Sequence, residues 1–220
     1  MTLVQQLPEQ SGAISNNQRT ERKLSMKRTL ILAAAVIALM PVVASAADLY
    51  VVDKTHSDVS FKVRHLVANT PGRFTDYSAN ITIEPKDLAK SSVDFTIQAA
   101  SIDTDNADRD KHLRTEDFFW VDQHPTLTFK SEKIVKKSAD EFEVTGTLTM
   151  RGVSKKITVP VEFGGFLTDP WGNEKAGFTT AFTVNRKDYG INWNKALDQG
   201  GVVLGEDVKI SLSLELNKKK

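Results

Sequence analysis

The sequence predicts a mainly β protein, either a closed antiparallel barrel or a sandwich, preceded by an N-terminal export signal. Apolar and polar residues alternate in many short segments, and turn-forming residues separate these segments. All 17 aromatic residues (11 Phe, 3 Tyr and 3 Trp) lie beyond residue 46, so the first part of the chain differs in composition from the rest. We therefore expect residues 47–220 to form the folded domain and residues 1–46 to act as a targeting segment.

Charge and cysteine content exclude several classes of function. The 220 residues include 29 basic and 28 acidic side chains and no cysteine. A formal net charge of +1 gives no basic footprint for nucleic acid. Without cysteine there can be no disulfide, thiol catalysis, or Cys-ligated zinc or iron–sulfur site. The stability of the domain must therefore come from core burial and strand pairing.

The targeting segment has the three parts of a secretory signal peptide. Lys27 and Arg28 precede an apolar run over residues 30–40, Pro41 ends that run, and the small residues 44–46 supply a cleavage site. A membrane span needs about 20 apolar residues, and this run is shorter. We therefore expect cleavage, with no stable membrane anchor afterwards.

The residues before this signal are polar and show no periodicity. Residues 1–25 are interpreted as an extended n-region or as the product of a start codon assigned too early, with Met26 the preferred initiator. Cleavage after Ala46 would leave 24 basic and 26 acidic residues, which is a net charge of −2. The exported protein is expected to be slightly acidic.

The alternation of polar and apolar residues is clearest over residues 58–65, where it predicts a half-buried strand. Its charged face must meet water, which turns Val59, Phe61, Val63 and His65 inward. The same alternation recurs at Ile81 and Ile83, at Val93, Phe95 and Ile97, at Leu127 and Phe129, at Phe142 and Val144, at Leu148 and Met150, at Ile157, Val159, Val161 and Phe163, at Phe178, Phe182 and Val184, and at Val208, Ile210, Leu212, Leu214 and Leu216.

Turn residues stand between these segments, and they favour hairpin connections. They are Pro71-Gly72, residues 84–87, Arg151-Gly152, residues 169–173 and Gly200-Gly201. Phe74 and Ile81 have opposite parity, so either one of them faces outward or a bulge lies between them.

One stretch does not fit the strand pattern. Residues 105–119 are charged throughout, begin with acidic residues and contain no β-branched run. These features predict one short helix that covers or flanks an end of the barrel, with Leu113 and Phe118 as its apolar contacts.

Several motifs, in order along the chain, resemble those of the YceI family. They are residues 53–65 (DKTHSDVSFKVRH), 72–74 (GRF), 101–104 (SIDT), 108–113 (DRDKHL), 118–119 (FF), 124–125 (HP), 148–153 (LTMRGV) and 185–191 (NRKDYGI). The resemblance implies an eight-stranded, antiparallel, lipocalin-like barrel. It also implies a protein of the Gram-negative periplasm that binds a long isoprenoid or other lipid-like chain, in a family for which no enzymatic activity is established.

A barrel of eight strands has an interior wide enough for packed side chains or for one small apolar ligand. We therefore expect an apolar ligand site inside it, although each of these side chains could instead simply fill the core. The candidate lining residues are Phe61, Val63, Phe95, Ile97, Phe129, Leu148, Phe163, Phe182 and Ile210.

Five polar or amphipathic residues are candidates for the head group or mouth of that site: His65, Arg73, Asn185, Arg186 and Trp193. An inward imidazole can hydrogen-bond a head group, and the planar fork of an arginine suits phosphate or carboxylate. Each has a structural alternative: a buried histidine satisfied by backbone or water, an arginine on an exposed strand edge, or a tryptophan that closes one barrel end.

The sequence contains no recognisable catalytic or metal motif. The four histidines, His56, His65, His112 and His124, form neither His-x-His nor His-Glu-x-x-His, and no Gly-x-Ser-x-Gly occurs. Asp108 and His112 can share a helix face, where a solvated pair is the usual outcome. We therefore predict that the protein is not an enzyme and binds no metal. We also predict that it carries no cofactor, although a bound polyisoprenoid or fatty chain is expected.

The predicted function is that of a periplasmic carrier for one long-chain amphiphile. Two alternatives remain open: an enzyme acting on an isoprenoid or quinone with His65 as acid or base, and a quinone-handling partner of a cytochrome b561-type membrane protein. The cytochrome b561-type partner is suggested by the family resemblance. A homodimer formed through the outer faces of the barrel is also left open.

Overall fold

The computed structural model describes residues 47–198 and 202–219. Its strands are β1 (Asp48–Val52), β2 (Asp58–His65), β3 (Ala68–Phe74), β4 (Tyr77–Ile83), β5 (Ser92–Gln98), β6 (Ile102–Asp103), β7 (Thr126–Lys136), β8 (Glu141–Met150), β9 (Val153–Thr168), β10 (Glu174–Asn185) and β11 (Leu204–Lys218); the α-helix is α1 (Ala107–Leu113). Short 3-10 turns cover Leu88–Lys90, Ala99–Ser101 and Arg186–Tyr189. The predicted signal peptide, with Met26, and the Gly200-Gly201 turn lie outside the described residues.

The strands form a closed antiparallel barrel, as predicted. Hydrogen bonding runs around the ring in the order β1, β4, β5, β7, β8, β9, β10 and β11, and β11 pairs with β1 to close it. β11 is long enough to pair with β1 near its C-terminal end and with β2 along its N-terminal half. Three of the eight strand positions are therefore interrupted: β1 continues as β2, β3 as β4, and β5 as β6.

These interruptions explain the opposite parity of Phe74 and Ile81. The chain leaves the hydrogen-bonded ladder at residues 75–76, between β3 and β4. The side chains of Phe74 and Ile81 are both buried in the core. The backbone there is satisfied by Ser101, whose carbonyl accepts from the N–H of Thr75 at 3.1 Å. A break in the strand resets the alternation, so neither side chain needs to face outward.

The helix is shorter than the predicted span of residues 105–119. It begins because the side chain of Asn106 accepts a hydrogen bond from the N–H of Arg109 at 2.9 Å, and turns replace it after Arg114. Buried Asp110 accepts from both the N–H and the hydroxyl of Thr104, at 2.9 and 2.5 Å. This pair of bonds attaches α1 to the end of β6.

The predicted Arg151-Gly152 turn joins β8 to β9 as a two-residue hairpin. Met150 pairs with Val153 across it, and Arg151 and Gly152 both have positive φ, 49° and 73°. Two central residues with positive φ are typical of the type I′ turn, whose twist matches that of antiparallel strands.

Packing in the barrel is uneven along its axis. Tyr50, Ile83 and Leu216 are almost completely buried where β1 meets β4 and β11. Many other inward side chains, such as Phe129 and Ile210, are only half-buried although they belong to the core cluster. Among the described helices none is long and apolar enough to cross a membrane.

A cavity inside the barrel as candidate functional site

The half-buried inward side chains surround a cavity of about 630 Å³. This lies within the range of about 300–1,000 Å³ that is usual for small-molecule sites. Most of its wall is aliphatic or aromatic, because the inward faces of the strands carry the apolar residues of the alternating pattern. The cavity therefore offers an apolar, largely water-excluding site for a ligand.

Eight of the nine apolar residues expected at the site border this cavity, and strand register brings most of them together. Phe182 is opposite Ile210, and Ile210 is opposite Phe61, so these three form one row across β10, β11 and β2. A second row joins β5, β7 and β8. The eight are Phe61, Val63, Phe95, Ile97, Phe129, Leu148, Phe182 and Ile210.

Phe163 does not border the cavity, although it has the inward parity of Val159 and Val161. Its ring packs instead against Phe166 and Phe178, with centroids 4.8 and 5.1 Å away. Aromatic neighbours thus cover it at its end of the wall. For this reason Phe163, expected from the sequence among the lining residues, lies outside the cavity wall.

Part of the wall comes from α1 and the turns that follow it, which strand patterning does not predict. His112 and Phe118 pack edge to face at 5.0 Å, and Trp193 lies 5.3 Å from each ring. All three border the cavity. The imidazole of His112 is held by Asp117, with Nε2 2.8 Å from the carboxylate oxygen. Two signals in the sequence pointed to this contribution: Leu113 and Phe118 inside the charged segment, and Trp193 as a mouth candidate.

Trp193, the tryptophan expected at the mouth, and Trp171 have different surroundings. Trp193 is partly buried in the aromatic cluster at one end of the cavity. Trp171 is 82% exposed at the turn between β9 and β10, and it does not border the cavity.

The polar candidates also separate. His65 borders the cavity at the end of β2, where its side chain remains exposed. Arg73 lies outside the cavity because Asp103 and Asp105 hold its guanidinium at 2.7 and 2.9 Å on the surface. Asn185 is also outside, since its side chain accepts from the N–H of Lys187 and starts the following 3-10 turn. Arg73 and Asn185 are therefore not at the head-group site expected for them.

Arg186 is the buried polar residue of the wall. It is only 4% exposed, and it borders the cavity at the start of the Arg186–Tyr189 turn. Its Nε donates to the carbonyl of Gly205 at 2.8 Å, and its Nη1 donates to the carbonyl of Ile191 at 2.7 Å. Burial lowers its pKa from the ordinary arginine value. A guanidinium in this position can donate to an oxygen inside the barrel.

A separate charged cluster lies where the chain crosses from β1 to β2, and sequence spacing did not reveal it. Asp53, His56 and Glu215 have potential metal-ligating atoms within 4.8 Å of one another. Lys175 already pairs with both carboxylates of this group, with Nζ 3.1 Å from Asp53 and 2.5 Å from Glu215. Hydrogen bonds from His56 and then from Lys175 hold the pKa of Asp53 well below its usual range. The arrangement suits an ion-pair network that links neighbouring strands.

Comparison with known proteins places this geometry in a family. The family model described as a YceI-like domain matches residues 50–216. A UPF0312 protein of Staphylococcus epidermidis is 40% identical over 167 residues, which cover 75% of this chain and 95% of that protein.

Solved structures agree with the fold. The YceI protein of Campylobacter jejuni is 36% identical, with a TM-score of 0.63 over 76% of this chain and 96% of its own. A polyisoprenoid binding domain from Saccharophagus degradans, implicated in plant cell wall breakdown, has a TM-score of 0.59 over 78% of this chain and 99% of its own. At 16% identity, the latter likeness concerns the fold alone. The chain therefore belongs to the YceI-like family.

Proposed function

We propose that this protein binds one long isoprenoid or other lipid-like amphiphile, with the apolar tail inside the barrel. The observation that carries the proposal is the cavity of about 630 Å³, closed by eight strand positions and lined mainly by apolar side chains. Such a wall recognises chain length and shape. It offers little polar chemistry along the strands with which to transform a substrate.

The energetics of tail burial support this cargo. Each buried methylene group contributes about 0.8 kcal/mol, so ten such groups contribute about 8 kcal/mol before the costs of ordering. That gross free energy corresponds to about micromolar affinity. The half-buried rings of Phe61, Phe129 and Phe182 would lose their remaining exposure to such a tail.

The solved domain of Saccharophagus degradans is named for polyisoprenoid binding and shares the barrel, so this fold is compatible with such a cargo. The proposed role is binding and carriage, without turnover. The test is titration of delipidated protein with geranylgeraniol. Saturable uptake of one molecule, recovered chemically unchanged, is expected; no uptake, or recovery of a product, would contradict the proposal.

We further propose that the protein works in the periplasm, on the basis of the export signal in residues 1–46. A carrier there would move a water-insoluble chain between membranes or to a membrane protein of the cytochrome b561 type. We expect the protein to be released with the periplasmic fraction. Its measured mass should be that of the chain that begins at Ala47. Protein that keeps residues 1–46 and stays in the cytoplasmic fraction would contradict the periplasmic location. Co-purification from solubilised membranes tests the partner.

A further inference from the structure

We propose that Arg186 binds an acidic head group of the cargo, a carboxylate or phosphate oxygen, at the cavity wall. This inference rests on the proposed function and adds the chemical class of the head. Arg186 borders the cavity and is 96% buried, and its Nη2 has no hydrogen-bond partner among the described residues. Of the described side chains that border the cavity, it alone has such a buried nitrogen.

Within the part of the chain that the structure describes, Arg186 has no acidic partner at hydrogen-bonding distance. Its two bonds go to the backbone carbonyls of Ile191 and Gly205, which are neutral. The neighbouring carboxylate, Glu206, is engaged elsewhere, because Lys187 donates to it at 2.5 Å and Asn185 at 3.4 Å. Glu206 compensates the charge of Arg186 only through space, without a hydrogen bond. A buried cation without a directly bonded anion is costly, and an anion that enters the cavity would bond to it.

Of the other basic side chains that border the cavity, Arg109 and His112 are already engaged, and His65 is exposed at the end of β2. The Nε and Nη2 of Arg109 donate to the hydroxyl and carbonyl of Thr104, at 2.8 and 2.7 Å. The imidazole of His112 lies 2.8 Å from the carboxylate of Asp117. A head group that reaches this wall therefore meets one buried donor with spare capacity, and that donor is charged.

The bonds to Gly205 and Ile191 also have a structural role, since they tie the turn after β10 to β11. That role uses Nε and Nη1 and leaves Nη2 unexplained. A buried donor without a partner is unfavourable in a folded protein, so its retention needs a reason. An oxygen of the ligand supplies one: carboxylate and phosphate are the acceptors that a guanidinium binds most strongly.

The test compares two probes that share a tail and differ in the head: palmitic acid and 1-hexadecanol. Delipidated wild-type protein should bind palmitate about ten- to a hundredfold more tightly, the ratio that a charge-assisted hydrogen bond supplies. Arg186→Met should remove this preference and leave hexadecanol binding intact. Arg73→Met, which removes a surface arginine outside the cavity, should leave the preference unchanged.

The outcomes separate the two proposals. If the wild-type protein binds neither probe, the proposed function fails. If it binds both equally, or if Arg186→Met keeps the preference for palmitate, the role of Arg186 is wrong and tail binding stands. Hexadecanol binding also shows that the variant is folded.

A second measurement uses the wild-type protein and therefore tests the proposal even if Arg186→Met does not fold. Carboxyl-¹³C-labelled palmitate bound to the wild-type protein should titrate at lower pH than the same carboxyl in a neutral detergent micelle, because a nearby cation favours the charged form. A bound carboxyl that titrates as in the micelle would overturn the proposal. Arg186→Lys, which keeps the charge and loses the planar fork, should retain part of the depression.

Discussion

At the scale of single residues, the inward phenylalanines combine two roles, because they belong to the core cluster and also border the cavity. Phe129 is flanked across the sheet by Phe95 and Leu148, which also border the cavity. Its neighbour Lys130 has the opposite parity and is exposed. Adjacent positions on β7 therefore face the cavity and the solvent, and they provide a matched pair of substitutions.

We expect Phe129→Asp to lower affinity for geranylgeraniol more than tenfold, because a carboxylate in the wall is poorly solvated and opposes apolar contact. Lys130→Asp should leave affinity within about twofold, since it changes only the outer face. Isothermal titration measures both, and circular dichroism checks folding. Ile210→Phe is an apolar second variant that fills the cavity and should also weaken binding. Unchanged affinity in folded Phe129→Asp protein would remove this residue from the site.

The arginines illustrate what sequence can and cannot predict at this scale. Arg73 and Arg186 were equally good candidates for a head-group site from sequence, because both belong to alternating, motif-rich segments. Their roles differ through tertiary partners: Asp103 holds Arg73 at the surface, while β11 and the Ile191 carbonyl receive Arg186 in the interior. No local pattern encodes such partners.

At the scale of secondary-structure elements, the ion pairs of Lys175 connect the interrupted strand position to its neighbours. Asp53 follows β1 directly, Lys175 is on β10 and Glu215 is on β11. The pKa of Asp53 is lowered in the folded state, mainly by the hydrogen bond from His56 and also by Lys175. Its contribution to stability is therefore present above the unfolded pKa of about 3.9 and is lost as pH falls below it.

Asp53→Asn should consequently unfold at lower urea concentration than the wild type at neutral pH. The difference between the two midpoints should shrink as pH falls below about 4, because the carboxylate of Asp53 then begins to be protonated in the unfolded chain while it stays charged in the folded protein. Exposed Asp122→Asn is the control and should track the wild type. A difference that stays constant down to pH 2 would show that the charge of Asp53 does not stabilise the fold.

The β8–β9 turn gives a second prediction for an element. A Cβ at Gly152 would combine a φ of +73° with an approach of 2.8 Å to Cε1 of His124. Gly152→Ala should therefore reduce stability by about 1 kcal/mol or more. Gly164→Ala, on β9, meets only ordinary contacts at 3.5 Å or more and should change stability little. Thermal unfolding compares the two, and equal melting temperatures would contradict the account of this turn.

Elements with strong alternation could be predicted from sequence, whereas their interruptions could not. The pattern over residues 58–65 gives β2 with its observed bounds, and Arg151-Gly152 gives the hairpin turn. The break at residues 75–76 and the end of α1 involve tertiary contacts: Thr75 bonds Ser101, and Arg114, which follows the helix, donates to the carbonyls of Ala100 and Ile102. The cluster of His112, Phe118 and Trp193 has the same origin, which is why strand periodicity misses this wall of the site.

At the scale of the whole molecule, closure of the barrel and the unfilled interior act in opposite directions. Closure of the ring between β1 and β11 satisfies the backbone on both edges, while the cavity leaves apolar side chains without neighbours. A bound chain would supply those contacts. Cargo binding should therefore add to the stability of the native state.

We expect delipidated protein to melt at lower temperature than protein saturated with geranylgeraniol. A ligand at one hundred times its dissociation constant stabilises the native state by about 2.7 kcal/mol. Differential scanning calorimetry at increasing ligand concentration measures the shift. A melting temperature that does not move while ligand is demonstrably bound would mean that the unfolded chain binds it equally well.

The central claim is that the barrel holds one long-chain molecule, and native mass spectrometry tests it most directly. Protein produced in bacteria and purified without detergent should carry one adduct per chain, and solvent extraction should release a long isoprenoid or fatty compound. If every preparation gives the bare mass of the chain, and delipidated protein takes up no geranylgeraniol, the cavity is not a binding site and the account is wrong.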